Sequence, residues 1–470
     1  MNMTRYTYNH TYILGLSFIS ALGGYLFGFD FAVISGALPF LQQQFGLNAY
    51  WQGLVTGSLA LGAIMGCLIA GAFSDRYGRR KGLLLAAAVF GFSSLAMALA
   101  PGRDFFICAR CMAGLGVGMA SMLSPMYIAE VSPAPLRGRM VAINQLTVVT
   151  GILITNIVNY SLRHQGQEAW RWMFGLGVAP SALFFIGAWW LPESPRWLVQ
   201  AGRVELAVNL LEKIGGPVFA QETLVLVRRS VGLNSGSSRD GSSHSGSSRG
   251  GIAALAGRPS HRYADVFQKA VLPAVLIGIG LAVFQQFCGI NVVFNYTPRI
   301  FSSIGVPQDG QLLQTVFIGG VNLVFTLLAM LLVDKLGRKP LMLFGAGALA
   351  VLYIIVARLL ATGSASVSWY LLATIGTYAL SLAPVTWVLI SEIFPNAVRA
   401  VATSVAVLSL WAAYFILVFS FPPLFDWLKD STFYIYSGIC ILGFVFVLLF
   451  VKETKGRTLE EVEGVMARGH

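Results

Sequence analysis

The chain alternates between long apolar segments and short polar connections. A membrane-spanning helix needs about 20 predominantly apolar residues, and twelve segments of that kind can be traced along the sequence. The pattern predicts an all-α membrane protein with twelve transmembrane helices, near residues 12–38, 51–73, 82–100, 105–129, 140–161, 172–191, 270–301, 312–333, 340–361, 368–391, 402–424 and 432–451. The first segment is long and has no small-residue cleavage site, so we expect no cleavable signal peptide.

Composition and the placement of charge agree with a membrane location. Hydrophobic residues make up 56% of the chain and charged residues 11%, with a mean hydropathy of +0.71, which is more apolar than a soluble core requires. The net charge is +12, and 25 of the 32 Lys and Arg fall on the side of the termini, against 6 on the opposite side. The positive-inside rule therefore predicts a multi-pass protein of the plasma (inner) membrane with both termini in the cytoplasm. Because the basic charge follows topology, we expect no nucleic-acid partner.

Charged motifs repeat at a nearly constant spacing. Three acids recur at offsets of 259, 262 and 260 positions, namely Asp75 with Asp334, Glu130 with Glu392, and Glu193 with Glu453. Three independent pairs at nearly one offset indicate two duplicated six-helix halves. The expected domains are an N-terminal six-helix bundle (1–191), a cytoplasmic linker with short helices (192–269), a C-terminal six-helix bundle (270–451) and a cytoplasmic tail (452–470). Within the linker we expect an amphipathic helix at 204–214 and a flexible Gly/Ser-rich part at 232–251.

The repeated charges fall at the predicted cytoplasmic ends of helices. There, acids and arginines can form ion pairs in one conformational state that break in another, and we expect them to latch the outward-open state. The alternative is a plain solvated loop, which the repetition in both halves disfavours. The candidate gate residues are Asp75, Arg79, Arg80, Glu130, Arg137, Arg139, Glu193, Arg196, Asp334, Arg338, Glu392, Arg399 and Glu453.

The most informative stretch, 284–296, reads FQQFCGINVVFNY and lies inside an apolar segment. It carries four carboxamides, Gln285, Gln286, Asn291 and Asn295, which are costly in hydrocarbon unless their hydrogen bonds are satisfied. On a straight helix these side chains point in two directions, but Gly289 between them could loosen the helix so that they converge on one ligand. Amides supply both donors and acceptors, so such a cluster suits a neutral polyhydroxylated molecule. The alternative is that the amides only bridge neighbouring helices.

One acid and one base lie within the apolar segments. Asp30 is about two-thirds of the way along the first segment, and Arg110 lies in the fourth. An ionisable residue inside a membrane is a functional candidate by default, and removal from water favours the neutral form of a carboxyl group. We predict that Asp30 pairs with Arg110 and that protonation of Asp30 releases Arg110, which would couple proton movement to a conformational change. A static structural ion pair is the alternative.

The sequence offers no set of residues for catalysis. We find no nucleophile–base arrangement and no phosphate-binding GxxxxGK[ST] motif, so an enzyme is not expected. Cys108 and Cys111 form a CxxC, but no second ligand pair lies nearby, so we expect neither a metal nor a cofactor.

Together the motifs resemble the sugar porter family of the major facilitator superfamily, over essentially the whole chain. The markers are DRYGRR at 75–80, PESPR at 192–196, the glutamines at 285–286 with Gly289 and Asn291, and ETKGR at 453–457. The resemblance implies the major facilitator fold, two six-helix bundles around a central sugar site. It implies Asp30 as the proton-accepting residue, with Arg110 as its partner, whereas facilitators of the family usually have an amide at the position of Asp30. It also implies sugar contacts from Gln145, Gln285, Gln286, Asn291, Asn322 and Trp387, with Phe27 and Trp411 as aromatic walls.

Three residues depart from the family pattern. Asn295 stands where the family commonly has a tyrosine, Ala383 replaces a glycine, and Leu410 replaces a polar amide before Trp411. Because unpaired hydroxyl groups strongly change discrimination between sugars, these departures leave the identity of the sugar open.

We therefore expect a monomeric, proton-coupled symporter of a pentose or hexose that works by alternating access. The alternatives are a uniporter of the same fold, a symporter of a polyol such as myo-inositol, and a sugar sensor that does not transport.

Overall fold

The computed structural model describes residues 6–230, 271–394 and 398–455, apart from the side chains of residues 229, 230, 334, 391, 399 and 400. The Gly/Ser-rich part of the predicted linker and most of the predicted tail lie outside the described residues. Seven helices form the N-terminal bundle: α1 (His10–Phe45), α2 (Ala49–Tyr77), α3 (Arg79–Ala98), α4 (Arg103–Val131), α5 (Arg137–Leu162), α6 (Ala169–Gly175) and α7 (Val178–Trp190).

Within this bundle, glycines allow neighbouring backbones to approach closely. A Cβ atom on Gly28 of α1 would lie 2.0 Å from the carbonyl oxygen of Val148 in α5. A Cβ atom on Gly62 of α2 would lie 1.8 Å from the carbonyl oxygen of Cys111 in α4. Small residues at such contacts are typical of packed membrane helices, where van der Waals contact drives association.

The linker contributes α8 (Pro195–Gln200) and α9 (Val204–Ser230). The predicted helix at 204–214 is present, but α9 continues beyond it through a kink at Gly216, whose φ is +83°. Only glycine adopts that angle without strain, so the chain turns there and then resumes the helix. The backbone N–H of Asn9 donates to the carbonyl oxygen of Ile214 at 2.9 Å, and the rings of Tyr8 and Phe219 lie 5.6 Å apart. The linker therefore docks on the N-terminal bundle.

In the described ranges 271–394 and 398–455, eight α-helices form the C-terminal bundle: α10 (Leu272–Phe287), α11 (Ile290–Ser302), α12 (Gln308–Leu336), α13 (Arg338–Ala361), α14 (Val367–Leu380), α15 (Leu382–Ile393), α16 (Arg399–Leu428) and α17 (Thr432–Phe450). Within the described ranges, eleven helical stretches are long and apolar enough to cross a membrane. One of them, Val401–Phe450, has 50 residues and is interrupted by a 3₁₀ turn at Lys429–Ser431. Since a single span needs about 20 residues, this stretch holds two spans, which gives the twelve that the apolar pattern predicts.

Three spans consist of two shorter helices each. The breaks fall at Gly177 between α6 and α7, at Gly289 between α10 and α11, and at Ser381 between α14 and α15. The predicted loosening at Gly289 is confirmed: its φ is +86°, and a Cβ atom there would lie 2.6 Å from the ring of Tyr436. Interrupted helices inside a membrane are tolerated where protein or a cavity satisfies the freed backbone groups, and in transporters they commonly form the substrate site.

The two bundles are joined at one end. We name the end that carries α8, α9 and the start of α1 the linker end, and the opposite one the loop end. At the loop end, Arg163 donates through Nε to Asp309 at 3.1 Å, and Asn156 donates to the carbonyl oxygen of Thr315 at 2.8 Å. Arg299 of the C-terminal bundle also donates to the side chain of Gln52. Hydrogen bonds therefore hold the loop ends of the bundles together.

Candidate functional site

The four carboxamides of the 284–296 stretch come together around the break at Gly289. Asn291 Nδ2 donates to Gln286 Oε1, and Gln286 Nε2 donates to Gln285 Oε1 at 3.3 Å. Gln285 Nε2 also reaches the carbonyl oxygen of Ala383, at the start of α15, at 3.3 Å. The break turns α11 so that amides from both sides of it meet, as the sequence predicts. The bond from Gln285 to α15 shows that the amides bridge helices as well.

Asn295 is the most deeply placed of the four. It is 0% exposed, and its Nδ2 donates to the carbonyl oxygen of Asn291 at 2.7 Å. The same Nδ2 lies 3.2 Å from the hydroxyl of Tyr414 in α16. Asn295 therefore faces the interior of the C-terminal bundle, and its amide bonds within the protein.

Aromatic rings meet between the two bundles beside these amides. The Phe27 ring of α1 lies 5.6 Å from the ring of Trp411. One helical turn further on, the Phe31 ring lies 5.9 Å from Phe294 and 5.5 Å from Tyr414. These separations are typical of favourable ring contacts, so the rings form an aromatic layer between the bundles.

The remaining candidate sugar contacts are spread over several helices. Trp411 is only 3% exposed, whereas Trp387 on α15 is 42% exposed, so Trp387 is not enclosed in this structure. Asn322 is buried on α12, and Gln145 is half-buried on α5. Helices α5 and α12 belong to different bundles and pack against each other, so both bundles contribute candidate residues.

The predicted pairing of Asp30 with Arg110 is present. Both side chains are 0% exposed, and the guanidinium nitrogens of Arg110 lie 3.4 Å from each carboxylate oxygen of Asp30. Arg110 Nη2 is also 3.5 Å from the carbonyl oxygen of Asp30, and the guanidinium carbon is 5.8 Å from the centre of the Phe174 ring. If Asp30 loses its charge, the carbonyl and the ring still offer Arg110 favourable contacts.

At the linker end, each half places a carboxylate at the N-terminus of its third spanning helix. Glu193 accepts hydrogen bonds from the backbone N–H groups of Arg79 at 2.8 Å and Arg80 at 3.1 Å, at the start of α3. A carboxylate is stabilised there because helix N-termini present unpaired N–H groups and a partial positive charge.

The C-terminal half repeats this arrangement at the start of α13. Glu453 accepts hydrogen bonds from the backbone N–H groups of Arg338 and Lys339, both at 3.0 Å. The N–H groups of Thr454 and Lys455 add bonds of 3.0 and 2.9 Å. The two halves, which the sequence predicts to be duplicates, therefore have the same hydrogen-bond geometry at this position.

The arginine that begins each of these helices forms an ion pair within its own half. Arg79 lies 3.0 Å from Asp75 and 3.2 Å from Glu130. Arg338 lies 3.2 Å from Glu392. These candidate gate residues are thus brought together as one cluster in each bundle.

Other candidate gate residues lie at the edges of these clusters. Arg137 is exposed and donates through Nε to the carbonyl oxygen of Ala129 at 3.1 Å. Arg139 and Arg196 are exposed, and Arg80 donates to the carbonyl oxygen of Trp189. The side chains of Asp334 and Arg399 lie outside the described residues.

We expect Arg79→Leu to destabilise the protein by about 3–5 kcal/mol, because it leaves the buried carboxylate of Glu130 without its cation. The Glu130 side chain is only 10% exposed, so water cannot replace the lost charge. Thermal unfolding in detergent measures the effect. Arg137→Leu is the matched control, with a change expected within about 0.5 kcal/mol. Equal losses in the two variants would contradict the role given to the cluster.

The pKa values of Glu193 and Glu453, the carboxylates at the starts of α3 and α13, are shifted in opposite directions. Burial raises the pKa of Glu193 above its ordinary value, against the opposing hydrogen bonds from backbone N–H groups. Burial also acts to raise the pKa of Glu453, but its four backbone hydrogen bonds together outweigh it and hold that pKa below the ordinary value. On acidification, Glu193 is therefore expected to take up a proton before Glu453 does.

Glu453→Gln is expected to lower the unfolding temperature at about pH 7 but not below the depressed pKa of Glu453. A carboxyl group with a lowered pKa contributes stability that is fully present above its unfolded pKa and lost as pH falls through the folded one. The contribution is about 1 kcal/mol, because Glu453 is only partly buried. Unfolding scans of the native chain and the variant over a pH series from about 7 down to about 2 measure the difference, with exposed Glu212→Gln as control. A difference independent of pH would contradict the expectation.

Together the fold and the site define a polytopic membrane transporter, with a polar amide cluster and a buried ion pair near the contact of two helical bundles. The chain belongs to the sugar transporter family, because the family described as "Sugar (and other) transporter" matches residues 16–466. The D-xylose-proton symporter of Escherichia coli K12 is 36% identical over 499 aligned positions, covering 97% of this chain and 96% of the relative. A glucose transport protein of Synechocystis sp. is 38% identical over 484 positions, covering 97% and 98%.

A solved structure supports the same assignment. The inward-open conformation of the xylose transporter XylE from E. coli matches with a TM-score of 0.81 and 34% identity, and the match covers 97% of this chain and 100% of that one. The predictions of the sugar porter family and of the two-bundle, twelve-helix fold are confirmed, and the protein is a transporter rather than an enzyme.

Sequence reasoning missed Tyr414 and Phe31. Tyr414 lies three residues after Trp411, on the same face of α16, and that spacing could have pointed to it. Phe31 follows Asp30 directly, but an aromatic residue in an apolar segment carries no distinguishing signal.

Proposed function

We propose that the protein is a proton-coupled symporter that carries a monosaccharide, a pentose or a hexose, by alternating access. The observation that carries this proposal is the fully buried Asp30–Arg110 pair, one residue away from the aromatic layer. A buried carboxylate with a single cationic partner can exchange a proton and change the net charge of its surroundings. In a facilitator we would expect an amide at this position.

The relatives support both the cargo and the coupling ion. One similar protein is named a D-xylose-proton symporter and another a glucose transport protein. The uncharged amides around Gly289 suit the hydroxyl groups of either kind of sugar. We therefore propose a monosaccharide as the cargo. The similar proteins are named for a pentose, D-xylose, and for a hexose, glucose, so the proposal covers both kinds of sugar.

We further propose that the linker end faces the cytoplasm. On that assignment the cytoplasmic side carries 25 of the 32 Lys and Arg, as the positive-inside rule requires. The loop end, where the bundles are joined, is then the outer one, and the structure represents an inward-facing state. The match to an inward-open relative supports this orientation. Since one chain supplies every candidate site residue, a monomer is the proposed transporting unit.

Transport then follows from the geometry as a cycle of two coupled equilibria. A sugar bound between the bundles exchanges hydrogen bonds with Gln286 and Asn291, which otherwise bond to each other. A proton on Asp30 removes the charge that holds Arg110, leaving Arg110 with the Asp30 carbonyl and the Phe174 ring. The bundles rock when both sites are occupied, because only then is the charge of the ion pair neutralised and the amide cluster satisfied by sugar.

The linker-end clusters keep each bundle rigid during this motion. Arg79 pairs with Glu130, and Arg338 with Glu392, so each ion pair closes within its own bundle. Separation of the bundles at the linker end does not require these pairs to break. The predicted latching of the outward-open state by these residues stays a prediction.

The test uses the purified native chain in liposomes that are weakly buffered inside and contain a pH-sensitive dye. D-Xylose, L-arabinose, D-glucose and myo-inositol are added outside one at a time, and sugar entry is followed with labelled sugar. Internal acidification together with entry of one sugar, abolished by a protonophore, is the expected result. Sugar entry without acidification would contradict symport and indicate a uniporter. Entry of myo-inositol alone would replace the monosaccharide by a polyol.

A further inference from the structure

Tyr414 touches the amide cluster on one side. The residue is 2% exposed in the middle of α16, and its hydroxyl lies 3.2 Å from Asn295 Nδ2. Asn295 in turn bonds to the backbone of Asn291, whose side chain bonds to Gln286. Hydrogen bonds to the backbone and to the side chain of Asn291 therefore connect the Tyr414 hydroxyl, through Asn295, with Gln286 beside Gly289.

On its other side, Tyr414 approaches the ion pair. Its ring lies 5.5 Å from that of Phe31, which follows Asp30 directly in α1. Tyr414 is thus a buried side chain of the C-terminal bundle that hydrogen-bonds to Asn295 of the amide cluster and packs on Phe31, the residue after Asp30 in the N-terminal bundle.

We propose that Tyr414 is a positioning residue through which the amide cluster and the Asp30–Arg110 pair act on each other. The proposal rests on the proposed symport function and names a residue that carries its coupling. Helix α11 starts after the left-handed Gly289, so it can shift relative to α10 when sugar takes over the hydrogen bonds of Asn291. The bond between Asn295 and Tyr414 passes that shift to α16, and the contact with Phe31 passes it to α1 at Asp30.

Coupling of this kind is reciprocal. If bound sugar favours protonation of Asp30 by some factor, protonation favours sugar binding by the same factor. Removal of the Tyr414 hydroxyl deletes the bond to Asn295 but retains the ring that packs on Phe31. Sugar can then cross the membrane without its proton. Sugar transport therefore continues, while the number of protons that enter with each sugar decreases.

The test compares the native chain with Tyr414→Phe in the dye-loaded liposomes, using whichever of D-xylose, L-arabinose and D-glucose the native chain takes up fastest. Protons and labelled sugar entering are counted in the same vesicles. We expect the ratio of protons to sugar to fall at least about threefold in Tyr414→Phe, with sugar entry within about threefold of the native rate. Tyr296→Phe is the matched control, because Tyr296 is also fully buried and its hydroxyl donates to the backbone carbonyl oxygen of Val418 at 2.7 Å, outside the amide cluster. The control should keep the native ratio.

A native ratio in Tyr414→Phe, or an equal fall in Tyr296→Phe, would overturn the proposal while leaving symport intact. A native chain that takes up sugar without protons would instead overturn symport itself, and this proposal with it. If Tyr414→Phe does not fold, Asn295→Leu removes the same hydrogen bond from the other partner and is expected to lower the ratio equally. When both single variants fold, the double variant Tyr414→Phe/Asn295→Leu should lower the ratio of protons to sugar no further than either single variant. The two single variants and the double variant all lack the same hydrogen bond, so the second substitution has nothing more to remove.

Discussion

Asp30→Asn is expected to abolish sugar accumulation against a gradient while leaving sugar binding within a few-fold of the native value. Asparagine has nearly the shape of aspartate but cannot take up a proton. One proton moving through 100 mV supplies about 2.3 kcal/mol, which corresponds to roughly 50-fold accumulation. Without proton coupling the sugar should only equilibrate, so the accumulation ratio should fall to about one. Labelled sugar in liposomes with an imposed membrane potential gives this ratio directly.

The same substitution has a cost in stability that must be separated from the loss of coupling. Arg110 is fully buried, and without Asp30 its charge has no anionic partner among the residues that the structure describes, which should destabilise the protein by about 3–5 kcal/mol. The double variant Asp30→Asn/Arg110→Leu removes both charges, so its unfolding temperature should recover. Its accumulation ratio should remain at about one. Accumulation by a well-folded Asp30→Asn protein would show that the proton enters elsewhere.

Gly53→Leu is expected to reduce transport at least tenfold by preventing the bundles from closing at the loop end. A Cβ atom on Gly53 of α2 would lie 2.3 Å from the backbone carbonyl oxygen of Phe419 in α16, which belongs to the other bundle. An ordinary contact would require the bundles to separate by roughly 1 Å, and a leucine side chain needs more room still. Each 1.4 kcal/mol by which the joined state is disfavoured lowers its population about tenfold.

Gly320→Leu serves as the control for Gly53→Leu. Gly320 lies on α12, and a Cβ atom there would have no heavy atom within 4 Å. Sugar uptake, equilibrium sugar binding and unfolding temperature are compared for the two variants. Loss of uptake with retained binding is expected for Gly53→Leu alone. Normal uptake by Gly53→Leu would mean that close approach of α2 and α16 is not required for transport.

The sequence determined the elements of this protein because each is encoded locally. Runs of about 20 apolar residues specify spanning helices wherever they occur, since hydrocarbon leaves the backbone no other way to satisfy its polar groups. The repeated acids revealed the duplication, and Gly289 marked the break in the seventh span. The pairing of Asp30 with Arg110 was also predictable, because two lone opposite charges inside a membrane have few other ways to be satisfied.

Only the tertiary structure decided how these elements meet. Whether Asn295 faces a ligand or the bundle interior depends on Tyr414, 119 positions away, and no local pattern specifies that contact. The arginines and acids at the linker end could have paired between bundles or within them, and the ion pairs of Arg79 and Arg338 that the structure describes lie within each bundle. The end at which the bundles join is likewise a property of close contacts such as that of Gly53 with Phe419. These outcomes depend on steric fit between distant segments, which the order of apolar and polar residues along one chain does not encode.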